Sequence, residues 1–270
     1  MMTDWKELDK GLRKYVNPAT HPVAVKFLDD EAQIPPRARR PFRDLNLTLA
    51  PCQGAAMTRR YGWTVAFTKE DVGCAIAAHT YGWERVGDTS GAVHFLTEMN
   101  YAADRETAER MFKAFPALDT NRGPVVLFYP LKNAEIDPDV ILIYVNPAQC
   151  MRLIHGATYN TGEPLLSSFS GRAASCSEGI IGAFQEDSVK IVVPGNGDRV
   201  WASCQDHEML MSAAAHHLEP IVLGLEKTHQ SGIRYPIPTY MGYAPKVGLT
   251  VPLSEVFKPE ELQKLYKKKG

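Results

Sequence analysis

The sequence predicts an α/β fold in which a mixed sheet is covered by helices. Residues 124–130 and 139–145 are continuous apolar runs, as expected of strands that are buried on both faces. Residues 4–15 and 104–115 instead carry apolar side chains at spacings of three and four, the pattern of helices with one buried face. A chain of 270 residues with 44% hydrophobic side chains is long enough to form this core within a single domain, residues 1–270.

The remaining elements follow from periodicity and from punctuation by Pro and Gly. Pro147 at the first turn of a helix and Gly62 and Gly82 after helices mark element ends. The sequence predicts further helices at 53–61, 74–81, 147–159, 176–184 and 205–225, and strands at 22–28, 63–68 and 188–193. Residues 34–44 are predicted to be a loop, residues 194–198 a turn, and residues 236–246 an irregular segment, while Pro220 is predicted to break the last helix.

Charge and hydropathy exclude several classes of protein. The 30 basic and 31 acidic residues leave a net charge of −1, which provides no general attraction to nucleic acid or to an anionic membrane. A charged N-terminus without an apolar signal segment, and the lack of any apolar run of about 18 residues, predict a cytoplasmic protein. Disulfides are rare in that compartment, so the five cysteines are expected to be thiols or ligands.

Four of the cysteines fall into two matched pairs. Cys52 and Cys74 are 22 residues apart, Cys176 and Cys204 are 28 apart, and each pair encloses a predicted helix and strand. With the strand that precedes each pair, this pattern predicts an internal repeat of residues 22–82 and 139–210. Two such halves would be related by a pseudo-twofold axis, and the four cysteines would then meet at the seam between them.

These cysteines are predicted metal ligands, because each lies at or just before a predicted helix start. Free N–H groups and partial positive charge at a helix start stabilise a thiolate, the form that binds metal. A 4Fe–4S cluster with four cysteine ligands is the leading hypothesis, and a structural zinc is second. The chain has no CxxC pair, so buried thiols, a catalytic thiol and another cofactor stay open. Cys150, within an apolar helix, is predicted to be a core residue.

Three other side chains are candidate cofactor-binding residues. His79 and His207 follow Cys74 and Cys204 at short distances and could donate to a sulfur, ligate a metal or transfer a proton. Arg59, on the helix after Cys52, could bind an anionic group through paired N–H groups. For each of the three, a structural or surface role is the alternative. The chain has no GxGxxG, Walker A, HExxH or GxSxG motif that would support nucleotide binding or hydrolysis.

The segments LAPCQGAAMTRRYG, VGCAIAAHTYG, VNPAQCMRLI, RAASCSEGI and PGNGDRVWASCQDHEM resemble the "domain of unknown function 169" family. These are archaeal cysteine-rich proteins that also occur in anaerobic bacteria. The resemblance spans residues 22–225, with the Asn-Pro-Ala-Gln element at 146–149 as its most distinctive part. It implies no activity, because the family is uncharacterised, but occurrence in anaerobes is compatible with an oxygen-sensitive cluster.

The sequence therefore predicts a cytoplasmic redox protein that holds an iron–sulfur cluster between its halves. It would act in electron transfer or in the reduction of a small molecule, with that molecule or a redox protein as its partner. The alternatives are a non-catalytic protein that binds a tetrapyrrole-like ligand, flanked by the aromatic segment 233–243, and a homo-oligomeric scaffold with buried thiols. Whether the protein is an enzyme is left open.

Overall fold

A six-stranded sheet lies at the centre of the protein. The computed structural model describes residues 3–83, 90–119 and 124–236. The strands are β1 (Val23–Leu28), β2 (Val65–Phe67), β3 (Val125–Pro130), β4 (Val140–Val145), β5 (Val189–Val192) and β6 (Met209–Ala214). Their order across the sheet is β2-β3-β1-β4-β6-β5, and each neighbouring pair is antiparallel. The predicted α/β class is confirmed.

Helices pack on both faces of this sheet. In chain order they are α1 (Trp5–Tyr15), α2 (Pro41–Leu45), α3 (Pro51–Tyr61), α4 (Ala75–Thr80), α5 (Ser90–Glu98), α6 (Arg105–Lys113), α7 (Pro147–Thr158), α8 (Gly182–Gln185), α9 (Asn196–Val200) and α10 (Leu218–Gln230). A π-helix, Ala174–Ile181, runs directly into α8. The lengths of these elements match the predicted ones over most of the chain, because Pro and Gly mark their ends.

Alternate side chains of the strands fill two separate cores. In β4, Ile141 and Ile143 pack with α1, α7 and α10, whereas Leu142 and Tyr144 pack with α3, α4 and the π-helix. Every residue of β3 and β4 is buried, which accounts for the continuous apolar runs in their sequences. Cys150 lies in the first core, as predicted, while the other four cysteines are associated with the opposite face.

The order of the strands has twofold symmetry. Exchanging β1 with β4, β2 with β5 and β3 with β6 reverses the order and reproduces the same antiparallel pairings. Strands β1 and β4 pair at the centre, so the symmetry axis would pass between them. The repeat of residues 22–82 and 139–210 stays a prediction, because it contains β1, β2, β4 and β5 whereas β3 lies outside it.

Four predictions about local structure are wrong. The predicted helix at 205–225 is instead strand β6 followed by α10, and Pro220 does not break α10 because it lies in the first turn, where no N–H is needed. The predicted turn at 194–198 contains the start of α9, and the predicted loop at 34–44 contains α2. Residues 237–246 of the predicted irregular segment lie outside the described residues.

Within the described part of the chain, no helix combines the length and the apolar character that crossing a membrane would demand.

Candidate functional site

A cavity of about 460 Å³ opens on the sheet face that carries α3, α4 and the π-helix. Cys52, Cys74 and Cys176 line it together with the carboxylate-bearing Asp198. Much of the remaining wall is apolar and comes from α5, α4 and the end of α9, namely Phe95, Leu96, Met99, Ile76 and Trp201. Three of the four predicted ligand cysteines, two from one half of the chain and one from the other, therefore share one cavity.

Local sequence places each of these thiols at the cavity. Pro51 starts α3 and Cys52 follows it in the first turn. Cys74 is the N-cap of α4, and the backbone N–H groups of Ile76 and Ala77 act to lower the pKa of its thiol. Cys176 is the third residue of the π-helix. Each cysteine is thus fixed by the beginning of a helical element that packs on the sheet.

Cys52 and Cys74 do not have the lowered pKa values that helix starts were expected to give. A hydrogen bond with Cys176, together with burial, raises the pKa of Cys52 well above its usual range. Burial also raises the pKa of Cys74, against the opposing effect of the two N–H groups. Desolvation outweighs the helix start because a thiolate loses its hydrating water on burial.

The spacing of the donors does not match a single bound ion. A tetrahedral zinc would hold its thiolates about 3.8 Å apart, given Zn–S bonds of about 2.3 Å. Among the described residues, the three donors that do approach within 4.8 Å of one another are Asp187, His216 and His217, which lie on a different surface. The three thiols of the cavity do not form such a group, so at least one pair of them is more than 4.8 Å apart, further than a single zinc requires.

Cys204 does not line the cavity. It follows α9 in the loop before β6, where its backbone N–H donates to the carbonyl of Asp198 at 3.0 Å. Burial, with the nearby carboxylate of Glu208, raises the pKa of the Cys204 thiol to about 12. The prediction that Cys204 opens a helix is wrong, because the residues after it form a short loop and then a strand.

Arg59 is held in a buried ion pair. Its guanidinium donates to both carboxylate oxygens of Glu208, at 2.6 and 2.9 Å, and stacks 4.2 Å from the centre of the Tyr144 ring. The side chain is 1% exposed and does not line the cavity. Its N–H groups are therefore used within the protein, instead of being open to an anionic ligand as the sequence suggested.

The two predicted histidines also lie away from the cavity wall. The ring of His79 is 4.3 Å from that of Phe112, and burial lowers the pKa of His79. His207 is exposed in the loop between Cys204 and β6. Neither histidine lines the cavity, so their predicted roles at the cofactor have no contact to support them.

Asp198 is the functional candidate that sequence reasoning missed. It is 5% exposed, and its Oδ2 accepts hydrogen bonds from the backbone N–H groups of Gly195 at 2.9 Å and Ser175 at 3.4 Å. Burial raises its pKa, and its charge in turn contributes to the raised pKa values of Cys52 and Cys74. The one available signal was its place in PGNGD, where an Asp can cap the helix that begins there.

The π-helix shapes this part of the cavity. Its residues Ala174 and Cys176 line the wall, and π-helical turns, which are rare, are frequently found at functional sites. The hydroxyl of Ser212 on β6 donates to the carbonyl of Gly179 at 2.9 Å and so ties the π-helix to the sheet.

The comparisons with known proteins identify relatives without assigning a role. The family model of the uncharacterised ArCR proteins, DUF169, matches residues 11–224. An uncharacterized protein of Methanocaldococcus jannaschii is 21% identical over 209 residues, which cover 77% of this chain and 88% of that protein. No solved structure matches the chain. Since the family model covers well over half of its residues, the chain belongs to the DUF169, or ArCR, family.

Proposed function

We propose that the cavity holds an iron–sulfur cluster ligated by Cys52, Cys74 and Cys176, and that the protein serves electron transfer or the reduction of a small molecule. The observation that carries this proposal is the convergence of three thiols from both halves of the chain on one cavity. Cys204, which was also predicted to be a ligand, is left out because it does not line that cavity.

The chemistry of the donors fits such a cluster. Buried thiols with raised pKa values are poor nucleophiles, which disfavours a catalytic thiol. A bound cationic metal centre would hold the same sulfurs as thiolates and provide positive charge directly beside them. When bound, an iron–sulfur cluster supplies one-electron chemistry, with a potential that depends on burial and on N–H groups near sulfur.

The rim of the cavity fits an apolar or aromatic partner. Phe95, Met99 and Trp201 are each at least half exposed although they line the cavity. Apolar side chains that stay exposed around an opening are typical of binding surfaces. Residues of this rim would orient a small molecule, or contact a redox protein, beside the thiols.

Purification without oxygen, followed by spectroscopy and metal analysis, tests the proposal. We expect broad visible absorption with stoichiometric iron and acid-labile sulfide. Serine substitution of Cys52, Cys74 or Cys176 should abolish both, while Cys150→Ser, on the opposite face of the sheet, should leave them unchanged. A sharp, intense band without sulfide would instead indicate a tetrapyrrole-like ligand, and a colourless, metal-free protein would refute the proposal.

A second candidate function is a thiol–disulfide couple, favoured because Cys52 and Cys176 line one cavity and pack in the same cluster. If this is the function, protein purified in air should contain a Cys52–Cys176 disulfide and no iron. Mass spectrometry of a non-reduced digest would detect it. Recovery of free thiols at both positions after mild oxidation of metal-free protein would eliminate this candidate.

A further inference from the structure

We propose that Asp198, rather than Cys204, is the fourth protein ligand of the cluster. This inference rests on the proposed function and specifies its ligand set as three thiolates and one carboxylate. It is carried by three independent observations: the spacing of donors in the two halves, the surroundings of the Asp198 carboxylate, and the location of Cys204.

The spacing of the donors assigns Asp198 to the position of Cys74. Cys52 lies 13 residues before β2 (52 to 65), and Cys176 lies 13 residues before β5 (176 to 189). Cys74 lies 22 residues after Cys52, and Asp198 lies 22 residues after Cys176 (176 to 198). Because β2 and β5 are equivalent in the twofold order of the sheet, Cys74 and Asp198 occupy matching positions.

The location of each donor agrees with this spacing. Cys74 is the N-cap of α4, the first α-helix after β2, and Asp198 lies in the first turn of α9, the first α-helix after β5; both line the cavity. Cys204 comes after α9 has ended and lies outside the cavity wall. The structure therefore matches Cys52 with Cys176 and Cys74 with Asp198.

The Asp198 carboxylate is placed as a ligand would be. Two backbone N–H groups fix Oδ2, and the side chain is 95% buried at the cavity wall. Among the described residues, no Lys or Arg forms an ion pair with Asp198. Arg199, which follows it in the chain, pairs with Asp206. Burying a carboxylate without a cation is costly, and a metal centre in the cavity would offset that cost.

Cys204 has other partners. The carboxylate of Glu208, which is paired with Arg59, raises the pKa of the Cys204 thiol. The backbone N–H of Cys204 donates to the carbonyl of Asp198. Ligation by Cys204 would require a change in this loop, whereas ligation by Asp198 requires none of its described hydrogen bonds to break.

Substitution of the two residues, in protein purified without oxygen, separates the alternatives. The set is Asp198→Asn, Asp198→Cys, Cys204→Ser and the control Cys150→Ser. Iron and sulfide content and electron paramagnetic resonance spectra are measured on each variant, and circular dichroism checks that each one folds. The Asn variant keeps an oxygen that can accept the two N–H groups, so the start of α9 is retained.

We expect Asp198→Asn to lose about one of four irons per chain and Asp198→Cys to regain it with an altered spectrum. Cys204→Ser and Cys150→Ser should match the wild type. Wild-type iron content and spectrum in Asp198→Asn, or loss of iron in Cys204→Ser, would overturn this inference while leaving the cluster in place. Wild-type protein without iron and sulfide would overturn the proposed function itself.

Discussion

Single residues in this protein gain their roles from partners that are distant in sequence. Arg59 and Glu208 are 149 residues apart, yet they form a bidentate pair beside the Tyr144 ring. The sequence showed an arginine on a helix near Cys52, a position that equally fits an anion site. It could not show that Glu208 lies beside this arginine, because the position of Glu208 depends on strand pairing. The same holds for Asp198, whose burial depends on how α9 packs.

Removal of the Glu208 charge should destabilise the protein. Glu208→Gln leaves the Arg59 guanidinium buried without a counter-charge, so the free energy of unfolding should fall by about 3 kcal/mol. Glu106→Gln, which breaks an exposed pair with Arg110 on α6, is the matched control and should cost less than about 1 kcal/mol. Urea denaturation of both variants gives the comparison, and equal losses would contradict it.

The same pair should make stability depend on pH in the acidic range. Burial alone would raise the pKa of Glu208, but hydrogen bonds from Arg59 and Gln205 and the charge of Arg59 lower it from 4.5 to about 2. A carboxyl with a lowered pKa stabilises the folded state above its unfolded pKa and loses this effect as pH falls. The stability difference between wild type and Glu208→Gln should therefore be constant above about pH 5 and shrink toward pH 2. A difference that does not change over this range would contradict the assignment.

At the scale of elements, the sequence predicted helices and strands whose apolar residues are periodic and whose ends are marked by Pro or Gly. It did not predict elements whose residue types favour a different secondary structure. β3 and β4 are apolar throughout because both of their faces are covered. β6 has the sequence MLMSAA, whose Met and Ala residues favour helices, and its place between two paired strands overrides that preference. The π-helix has no sequence signal that separates it from an α-helix, since its width is set by packing against the sheet.

The contact between α7 and α10 should not tolerate a larger residue. A Cβ on Gly224 would lie 2.3 Å from the carbonyl oxygen of Gly156 and 2.8 Å from Cβ of Tyr159, so the two helices would have to separate. Gly224→Ala should lower the free energy of unfolding by about 1–3 kcal/mol. Gly182→Ala on α8 is the control, because its new Cβ would make only ordinary contacts of 3.5 Å and more, and it should be neutral or mildly stabilising. Equal effects of the two substitutions on thermal denaturation would refute the argument.

At the scale of the whole molecule, the sequence predicted the α/β class and two related halves. It could not establish which residues of the two halves are equivalent. Cys74 was matched with Cys204 because both are cysteines, and their positions relative to the strands were not known. The proposed match uses strand positions instead, since 13 residues separate Cys52 from β2 and Cys176 from β5. Three of the four predicted ligands consequently line the cavity, and the fourth does not.

Loss of the proposed cluster should lower the thermal stability of the folded protein. A ligand that binds only the folded state stabilises it, so chelation of iron should lower the melting temperature of the wild-type protein. Cys176→Ser, which cannot hold the cluster, should melt at the same temperature before and after chelation. Scanning calorimetry under nitrogen makes the comparison, and an unchanged wild-type melting temperature despite iron removal would contradict the prediction.

The twofold order of the sheet has a consequence for how such a site can diversify. In a symmetric homodimer, both subunits have the same sequence and therefore present the same donor residues. Any substitution in one subunit is also present in the other. Here both contributions belong to one polypeptide, and each can vary alone, as Cys74 and Asp198 do in the proposed match. Joining the halves in a single chain thus permits an asymmetric centre, in which one corner differs chemically from the rest, on a scaffold that remains symmetric.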